Sequence, residues 1–484
     1  MEFNLDRITF HIWWTLTFLG YALTLLLVPR VVLIKKRNPV ATIAWILTII
    51  LLPYLGGLLF LFFGINRVDR RAAHKQQSSQ SIAGRLPELS QFQLMPEEGR
   101  TPQQQRLMRL ATRVSGTHST YGNRIELLAD TNRTLGLIEQ AILAAESTLH
   151  LEYYIWQPDK TGTRLRDLLI KKAKEGVAVR FLFDGLGSML LTNRFLKPMR
   201  DSGIQVASFL PGASFRERWS LNLRSHRKIV VVDGCVGFTG GMNIGDEYLG
   251  KDPETGYWRD THLRLHGPSV LQLQQIFVED WLYATGEELT RTEIFPKPDD
   301  MGNVSAQVLA GGPDNEVHVF LSLMFAAINE ARESVTLATS YFVPPVSIAT
   351  AIETAGYRGL KVRLLLSGRA GYSWTWLAGR SYYDALVKAG VEIYEYDRGL
   401  LHSKTLTIDG AWSLVGSPNV DARSLLLNFE VAVAVYDDRI AAQLEDQFTK
   451  DLRRAKRIDP NTWPQRKTIQ VFGENVCRLF APVL

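Results

Sequence analysis

His226-Arg227-Lys228-Ile229-Val230-Val231-Val232-Asp233, followed by Gly240-Gly241-Met242-Asn243, has a twin later in the chain: His402-Ser403-Lys404-Thr405-Leu406-Thr407-Ile408-Asp409, followed by Gly416-Ser417-Pro418-Asn419. In both copies Lys follows His by two residues, Asp by seven and Asn by seventeen. The apolar run after each histidine reads as a buried strand. Residues two apart on a strand project from one face, so each imidazole and its ammonium meet the same ligand. The glycine pair lets backbone and Asn side chain approach that ligand closely. One such His-x-Lys is weak evidence; two at identical spacing are strong.

Working outward, the pattern belongs to a larger repeat. ESTLHLEYYIW from Glu146 pairs with ESVTLATSYFV from Glu333, EGVAVRFLFDG from Glu175 with RGLKVRLLLSG from Arg358, and DSGIQVASF from Asp201 with AGVEIYEY from Ala389. From Gly122 onward strand-like runs alternate with helical patterns, which predicts two similar α/β halves in one catalytic body.

The groups in the doubled motif suit a phosphodiester. Lysine supplies fixed positive charge for the non-bridging oxygens, asparagine donates a hydrogen bond, and imidazole acts as nucleophile or proton carrier near neutral pH. The 484 residues carry 55 basic and 49 acidic side chains, a mildly basic balance that suits an anionic partner without choosing between nucleic acid and lipid. Cys235 and Cys477 are the only cysteines, which gives no disulfide framework. No His-Glu-x-x-His or clustered acidic ligand set appears, so no metal and no cofactor are expected.

The N-terminus narrows the choice of partner. Ile8 to Val28 carries no formal charge, and a second uncharged run goes from Val40 to Phe63. Each is about the ~20 residues a spanning helix needs, and both are too long for a cleaved signal sequence. The expectation is an α-helical transmembrane hairpin with the segment Arg30 to Asn38 as its loop. The positive-inside count ties, with Arg30, Lys35, Lys36 and Arg37 in the loop against Arg67, Arg70, Arg71 and Lys75 after the second run. A polar stretch, Ala72 to Gln105, reads as a linker on the headgroup surface. The expected domains are therefore an anchor at 1–71, a linker at 72–121, a first half at 122–298, and a second half with a basic tail at 299–484.

From about Gly122 to the C-terminus, the doubled HxKxxxxD with its trailing Gly-x-x-Asn resembles the phospholipase D superfamily. That resemblance implies two halves packed so that both histidines face one phosphate. His226 would be the nucleophile and His402 the general acid/base, although the sequence is symmetric between them. Lys228, Lys404, Asn243 and Asn419 would hold phosphate oxygens. Asp260 and Glu430 are the candidates for carboxylates that orient the imidazoles; they follow their asparagines by seventeen and eleven residues. Asp233 and Asp409, counted with the catalytic motif, would brace the loop at the strand end. Gly241 departs from the pattern, standing where the family often has Ser.

Superfamily members include nucleases, hydrolytic phospholipases and phosphatidylserine synthases, and two apolar runs argue against a nuclease. Asn38 to Leu47 and Phe62 to Arg67 further resemble bacterial cardiolipin synthases, enzymes that join two phosphatidylglycerols and release glycerol. The implied partners are phosphatidylglycerol, other anionic phospholipids and the membrane, with no nucleic acid. The implied place is the bacterial inner membrane, with the catalytic body in the cytoplasm. A hydrolytic phospholipase D, a transferase with an acceptor such as serine, or a binding-only scaffold are the competing expectations. Leu186 to Leu196, with Tyr372, Trp374, Trp376 and Tyr382, would shield a covalent intermediate from water. Ile440, Leu444, Phe448 and Leu452 share one helix face, followed by the basic run Arg453, Arg454, Lys456 and Arg457.

Overall fold

The computed structural model describes residues 5–33, 39–61, 68–86, 100–209, 223–251, 256–298, 302–368 and 373–480. Lys35 to Asn38, Phe62 to Arg67 and Tyr372 lie outside them, as do the side chains of Arg70 and Arg71. The chain divides near Arg70 into an N-terminal unit and a main unit.

The N-terminal unit holds α1 (Leu5–Leu33), α2 (Pro39–Leu51) and α3 (Pro53–Leu59). Within α1, Thr9–Leu33 is long and apolar enough to cross a bilayer, with mean hydropathy 1.9. Its apolar side chains are mostly exposed, Trp13 at 73% and Leu25 at 76%. A surface of that kind needs a non-aqueous partner.

The second apolar run is not a second straight span. Pro53 has no N–H and pushes the residue before it out of the helical region, so Leu52 sits at φ −133° and ψ 70°. The chain then doubles back. Gly56 packs so closely on Thr48 that a Cβ there would lie 2.3 Å from the Thr48 carbonyl oxygen. Phe60 returns to within 5.7 Å of the Trp45 ring, centroid to centroid. Both arms pack on α1: Thr24 lies beside the Ile49 carbonyl, Tyr54 reaches the Leu16 carbonyl, and Gly57 faces Leu23 and Leu27. At 1.5 Å per residue the 13 residues of α2 cover roughly 20 Å, short of the roughly 30 Å hydrocarbon core. The described part of the expected hairpin is thus one long apolar helix followed by a shorter apolar helix that bends back on itself at Pro53.

Among the described residues, the main unit is built on one sheet of 15 strands. The first half supplies β1 (Thr120–Leu128), β2 (Thr148–Tyr153), β3 (Ala178–Phe183), β4 (Gln205–Ser208), β5 (Lys228–Val232), β6 (Val236–Gly240) and β7 (His262–His266). The second supplies β8 (Val304–Gly311), β9 (Ser334–Thr339), β10 (Lys361–Ser367), β11 (Glu392–Tyr396), β12 (Thr405–Ile408), β13 (Trp412–Gly416) and β14 (Glu430–Tyr436), with β15 (Ala455–Arg457) added at its edge. The order is β15-β11-β10-β9-β12-β13-β14-β8-β1-β7-β6-β5-β2-β3-β4, which repeats outward from the antiparallel β8–β1 junction. The expected α/β repeat is therefore one continuous sheet, with β2, β3 and β4 parallel in one half and β9, β10 and β11 in the other.

Pairing register corrects the sequence alignment of the first repeated runs. Asp233 N–H bonds the Thr148 carbonyl as Asp409 N–H bonds that of Ser334. Glu146 therefore does not match Glu333; the halves align one residue earlier, so that Tyr154 corresponds to Ser340.

Helix Pro268–Thr285 is apolar on most sides because it is buried on most sides, lying against strands of both halves. The stretch expected as a linker is largely folded. It forms α4 (Val68–Ala83) and α5 (Pro102–Ser115), and α5 starts at a Thr101–Gln104 capping box and buries Leu107, Met108 and Ala111 in the second half's core. Helix Asp438–Leu452 buries Ile440, Leu444 and Phe448, as its apolar face predicts. Lys456 and Arg457 are exposed on β15.

Candidate active site

His226 and His402 sit just before β5 and β12, each fixed by a backbone bond to the opposite half. His226 N–H donates to the Phe429 carbonyl at 2.8 Å, and His402 N–H to that of Arg259 at 2.7 Å. Side chains cross the same way. His226 Nδ1 lies 2.8 Å from Glu430 Oε2, and His402 Nδ1 lies 2.7 Å from Asp260 Oδ2. Each imidazole is thus oriented by the carboxylate of the other half, an arrangement that spacing alone does not reveal. A carboxylate accepts only, so it holds the proton on Nδ1 and leaves the Nε2 lone pair for chemistry. No hydrogen bond engages either Nε2 among the described residues.

Asp260 and Glu430 are equivalent despite their unequal spacing. Gly240 pairs with His262 across β6 and β7, and Gly416 with Ala432 across β13 and β14, which puts Asp260 opposite Met242 and Glu430 opposite Pro418. The surplus residues of the first half lie in the segment around Tyr248 to Tyr257. Gly241 has a matching reason. Ser417, its counterpart, donates to Glu430, whereas a Cβ on Gly241 would lie 2.2 Å from Asp260 Oδ1. Asp260 fills the space of a serine side chain and takes the Thr261 N–H at 2.7 Å instead.

Lys228 and Lys404 are buried, and their ammonium groups donate to the carbonyls of His226 at 2.6 Å and His402 at 2.5 Å. Burial depresses Lys228 to about 7, with Glu430 opposing and Lys404 adding to the fall, and burial depresses Lys404 to about 8. His226 is driven to about 4 by burial, against Glu430 and with help from both lysines. His402 is driven to about 3 by burial and then Lys404, against Asp260. Burial works against charge on Glu430 and Asp260, yet the facing histidines and lysines hold both carboxyls below the usual range. Cations depressed in this way gain most from an anion placed among them.

Asn243 takes the Ile155 N–H at 3.2 Å and donates to the Tyr248 hydroxyl at 2.9 Å; Asn419 is buried with its Oδ1 unpaired among the described residues. Asp233 and Asp409 are not brought to the histidines. Both have positive φ, 51° and 52°, at the far strand ends, where each carboxylate accepts three backbone N–H groups, Glu146 to Thr148 and Arg332 to Ser334. Aspartate tolerates that backbone because its short side chain bonds locally. Their place in the motif is to brace a turn.

Some neighbours of the site were invisible in sequence. Tyr154 stands edge-on to His226 with ring centroids 4.9 Å apart, and Trp258 lies 5.4 Å from His402. Arg227, the variable residue of the motif, donates to the Glu430 carbonyl at 3.2 Å and pairs with buried Asp280. Asp280 also pairs at 3.1 Å with Lys75, an ammonium buried from α4. A chain of contacts therefore links α4 to the group that orients His226. Of the expected water shield, Met189, Leu190 and Trp374 are exposed, while Trp376 is partly buried and donates to Glu395.

The comparisons agree with this geometry. A family model described as cardiolipin synthase, PLD-like domain, matches residues 138–281 and 324–452, and one described as phospholipase D-nuclease N-terminal matches 22–64. The chain is 37% identical over 471 residues to a cardiolipin synthase of Alkalihalophilus pseudofirmus, covering 96% of this chain and 93% of that one. It is 39% identical over 459 residues to one of Geobacillus thermodenitrificans, covering 94% and 91%. In fold it is like the crystal structure of a phosphatidylserine synthase from Haemophilus influenzae, with TM-score 0.58 and 16% identity over 78% of this chain and 98% of that one. With two halves, crossed imidazole–carboxylate pairs and relatives along nearly its whole length, the chain belongs to the cardiolipin synthase family of phospholipase D-like proteins.

Proposed function

We propose that the chain is a membrane-bound phosphatidyltransferase that converts two phosphatidylglycerols into cardiolipin and glycerol. The observation that carries this is the pair of crossed imidazole–carboxylate dyads beside two buried lysines. Lys228, Lys404, Asn243 and Asn419 receive the non-bridging oxygens of one phosphodiester. His226 Nε2 attacks phosphorus, the bond from phosphorus to the glycerol oxygen breaks, and His402 gives that oxygen its proton. The hydroxyl of a second phosphatidylglycerol then passes its proton to His402, its oxygen bonds phosphorus, and the P–N bond to His226 breaks. One phosphodiester replaces another, so no activated nucleotide is consumed.

Purified protein in vesicles of phosphatidylglycerol alone, with chelator present, is expected to release glycerol and cardiolipin together, read by mass spectrometry. A requirement for a divalent cation or a nucleotide-activated lipid overturns the mechanism. Phosphatidic acid as main product assigns the chain to hydrolysis instead.

The anchor geometry supports a sidedness that charge alone left tied. On a reading in which α1 is the one crossing and α2–α3 dips into the bilayer and returns, both four-residue basic clusters of the sequence would share a side with the catalytic body. The positive-inside rule then places that side in the cytoplasm and the N-terminus across the inner membrane. In protein with Cys235 and Cys477 replaced by Ser, cysteines at Asn38 and Gln77 are expected to resist an impermeant reagent in intact cells while one at Glu2 reacts. Opposite behaviour of Asn38 and Gln77 restores two full crossings.

A further inference from the structure

The halves repeat one fold, so the positions where they differ show what each contributes alone. Two such positions border the phosphate site. In the first half the Tyr154 ring lies 5.2 Å from Lys228 Nζ and edge-on to His226. Asp184, the residue after β3, is buried and accepts from the N–H groups of Leu186 at 3.0 Å, Gly187 at 2.8 Å and Ser225 at 3.0 Å. In the second half the register puts Ser340 in place of Tyr154 and Ser367 in place of Asp184, because Tyr153 pairs with Phe183 as Thr339 pairs with Leu366. Ser340 Oγ accepts from Lys404 Nζ at 2.7 Å. Ser367 is buried, and its hydroxyl has no hydrogen-bond partner among the described residues.

The second half therefore carries two hydroxyls where the first carries an aromatic ring and a carboxylate. A recess between Ser340 and Ser367, walled by Phe342, Thr375, Trp376 and Tyr383, encloses about 20 Å³, room for one water-sized group. It lies outside the carboxyl ends of parallel β9 and β10, where α/β sheets hold ligands. Ser367 lines this recess, and its buried hydroxyl, with no hydrogen-bond partner among the described residues, is a polar group awaiting one.

We propose that this recess is a subsite for the non-reacting hydroxyl of a vicinal diol, the glycerol end of a lipid headgroup, and that Ser340 and Ser367 select it. The inference rests on the reading above, in which His402 handles the alcohol. Lys404 and Ser340 border His402's half, so an alcohol oxygen bound at the phosphate leaves its neighbouring carbon beside Ser340, and the hydroxyl on that carbon enters the recess. Water and simple alcohols have no second hydroxyl to place there. A site that hydrogen-bonds a substrate hydroxyl disfavours analogues lacking it, which gives the enzyme a means of preferring a lipid glycerol to solvent.

The test is a competition. The full chain, in vesicles of phosphatidylglycerol, receives equal concentrations of 1,2-propanediol and 1-propanol, and the two phosphatidyl alcohols are measured in the same sample. Wild type is expected to favour the diol by on the order of fivefold, the scale of one neutral hydrogen bond. Ser367→Ala, and Ser340→Tyr with Ser367→Asp, which imports the first half's larger side chains, are expected to bring the ratio to about one. The ratio does not depend on how much protein is folded, and if the double variant is inactive Ser367→Ala decides. A wild-type ratio near one, or a Ser367→Ala ratio equal to wild type, overturns the subsite while leaving the transferase intact. Absence of any phosphatidyl alcohol and of cardiolipin from wild type overturns both.

Discussion

His226→Ala and His402→Ala are each expected to lower phosphatidyl transfer by about 10⁴-fold or more, and the double variant is expected to be no worse than either alone. The reasoning is that the two imidazoles serve one phosphate. Residues that act as a unit are grossly non-additive, because removing the second costs nothing once the first is gone. Independent sites would instead multiply their losses. Neither ring belongs to the apolar cores of the two halves, and each variant leaves the backbone bonds to Phe429 and Arg259 in place. Circular dichroism and thermal melting separate loss of fold from loss of chemistry. Either folded single variant keeping a percent of its activity sinks the shared site.

The same prediction has a pH side. Without substrate both imidazoles are neutral at pH 7, since burial holds them at about 4 and about 3. A phosphodiester anion between Lys228 and Lys404 offsets that penalty and raises both values. The nucleophile must stay neutral and the acid must hold a proton, so the rate falls at low pH as His226 is protonated and at high pH as His402 loses its proton. The two apparent values belong to the pair.

How much of this was legible in the sequence follows from which interactions are local. The His-x-Lys geometry needs only one strand and was readable from strict spacing. Asp260 was harder, because extra residues between Asn243 and β7 disguise a strand register identical to that of Glu430. That each carboxylate serves the other half's histidine is a tertiary fact with no local signature. The bend in the second apolar run was hidden for another reason: hydropathy counts apolar residues and is blind to direction. Pro53 ahead of Gly56-Gly57 was the available sign of a turn, since proline breaks the helix and glycine lets the returning arm touch Thr48 and Leu27. Polar α4 read as a linker because it buries only scattered residues, Ala72, Ile82 and the ammonium of Lys75 against Asp280, which make no apolar stripe. Similarly, Tyr341 matched Tyr154 by eye, and only the sheet register put Ser340 there.

Glu430→Gln and Asp260→Asn are expected to cost on the order of 10²–10⁴ in turnover, as loss of an imidazole-orienting carboxylate does elsewhere, and to sort crosswise. Both changes keep side-chain volume, and the amide introduced by Glu430→Gln retains one oxygen, able to accept either from Ser417, which donates to Oε2 of the native carboxylate, or from Asn428, which donates to Oε1. The sorting is read with a phosphodiester bearing a nitrophenol-type leaving group, which departs without a proton. That substrate makes the acid dispensable for the first step, while the nucleophile stays essential. His402→Ala should therefore regain a burst of nitrophenol, and His226→Ala should not. Because His402 bonds Asp260 and His226 bonds Glu430, Asp260→Asn should join the variants that regain the burst and Glu430→Gln those that do not. Were each carboxylate paired within its own half, the grouping would invert: Asp260→Asn would fail with His226→Ala, and Glu430→Gln would be rescued with His402→Ala. A burst in His226→Ala and none in His402→Ala would instead exchange the two chemical roles and leave the crossed pairing standing, since each carboxylate would still follow the histidine of the opposite half.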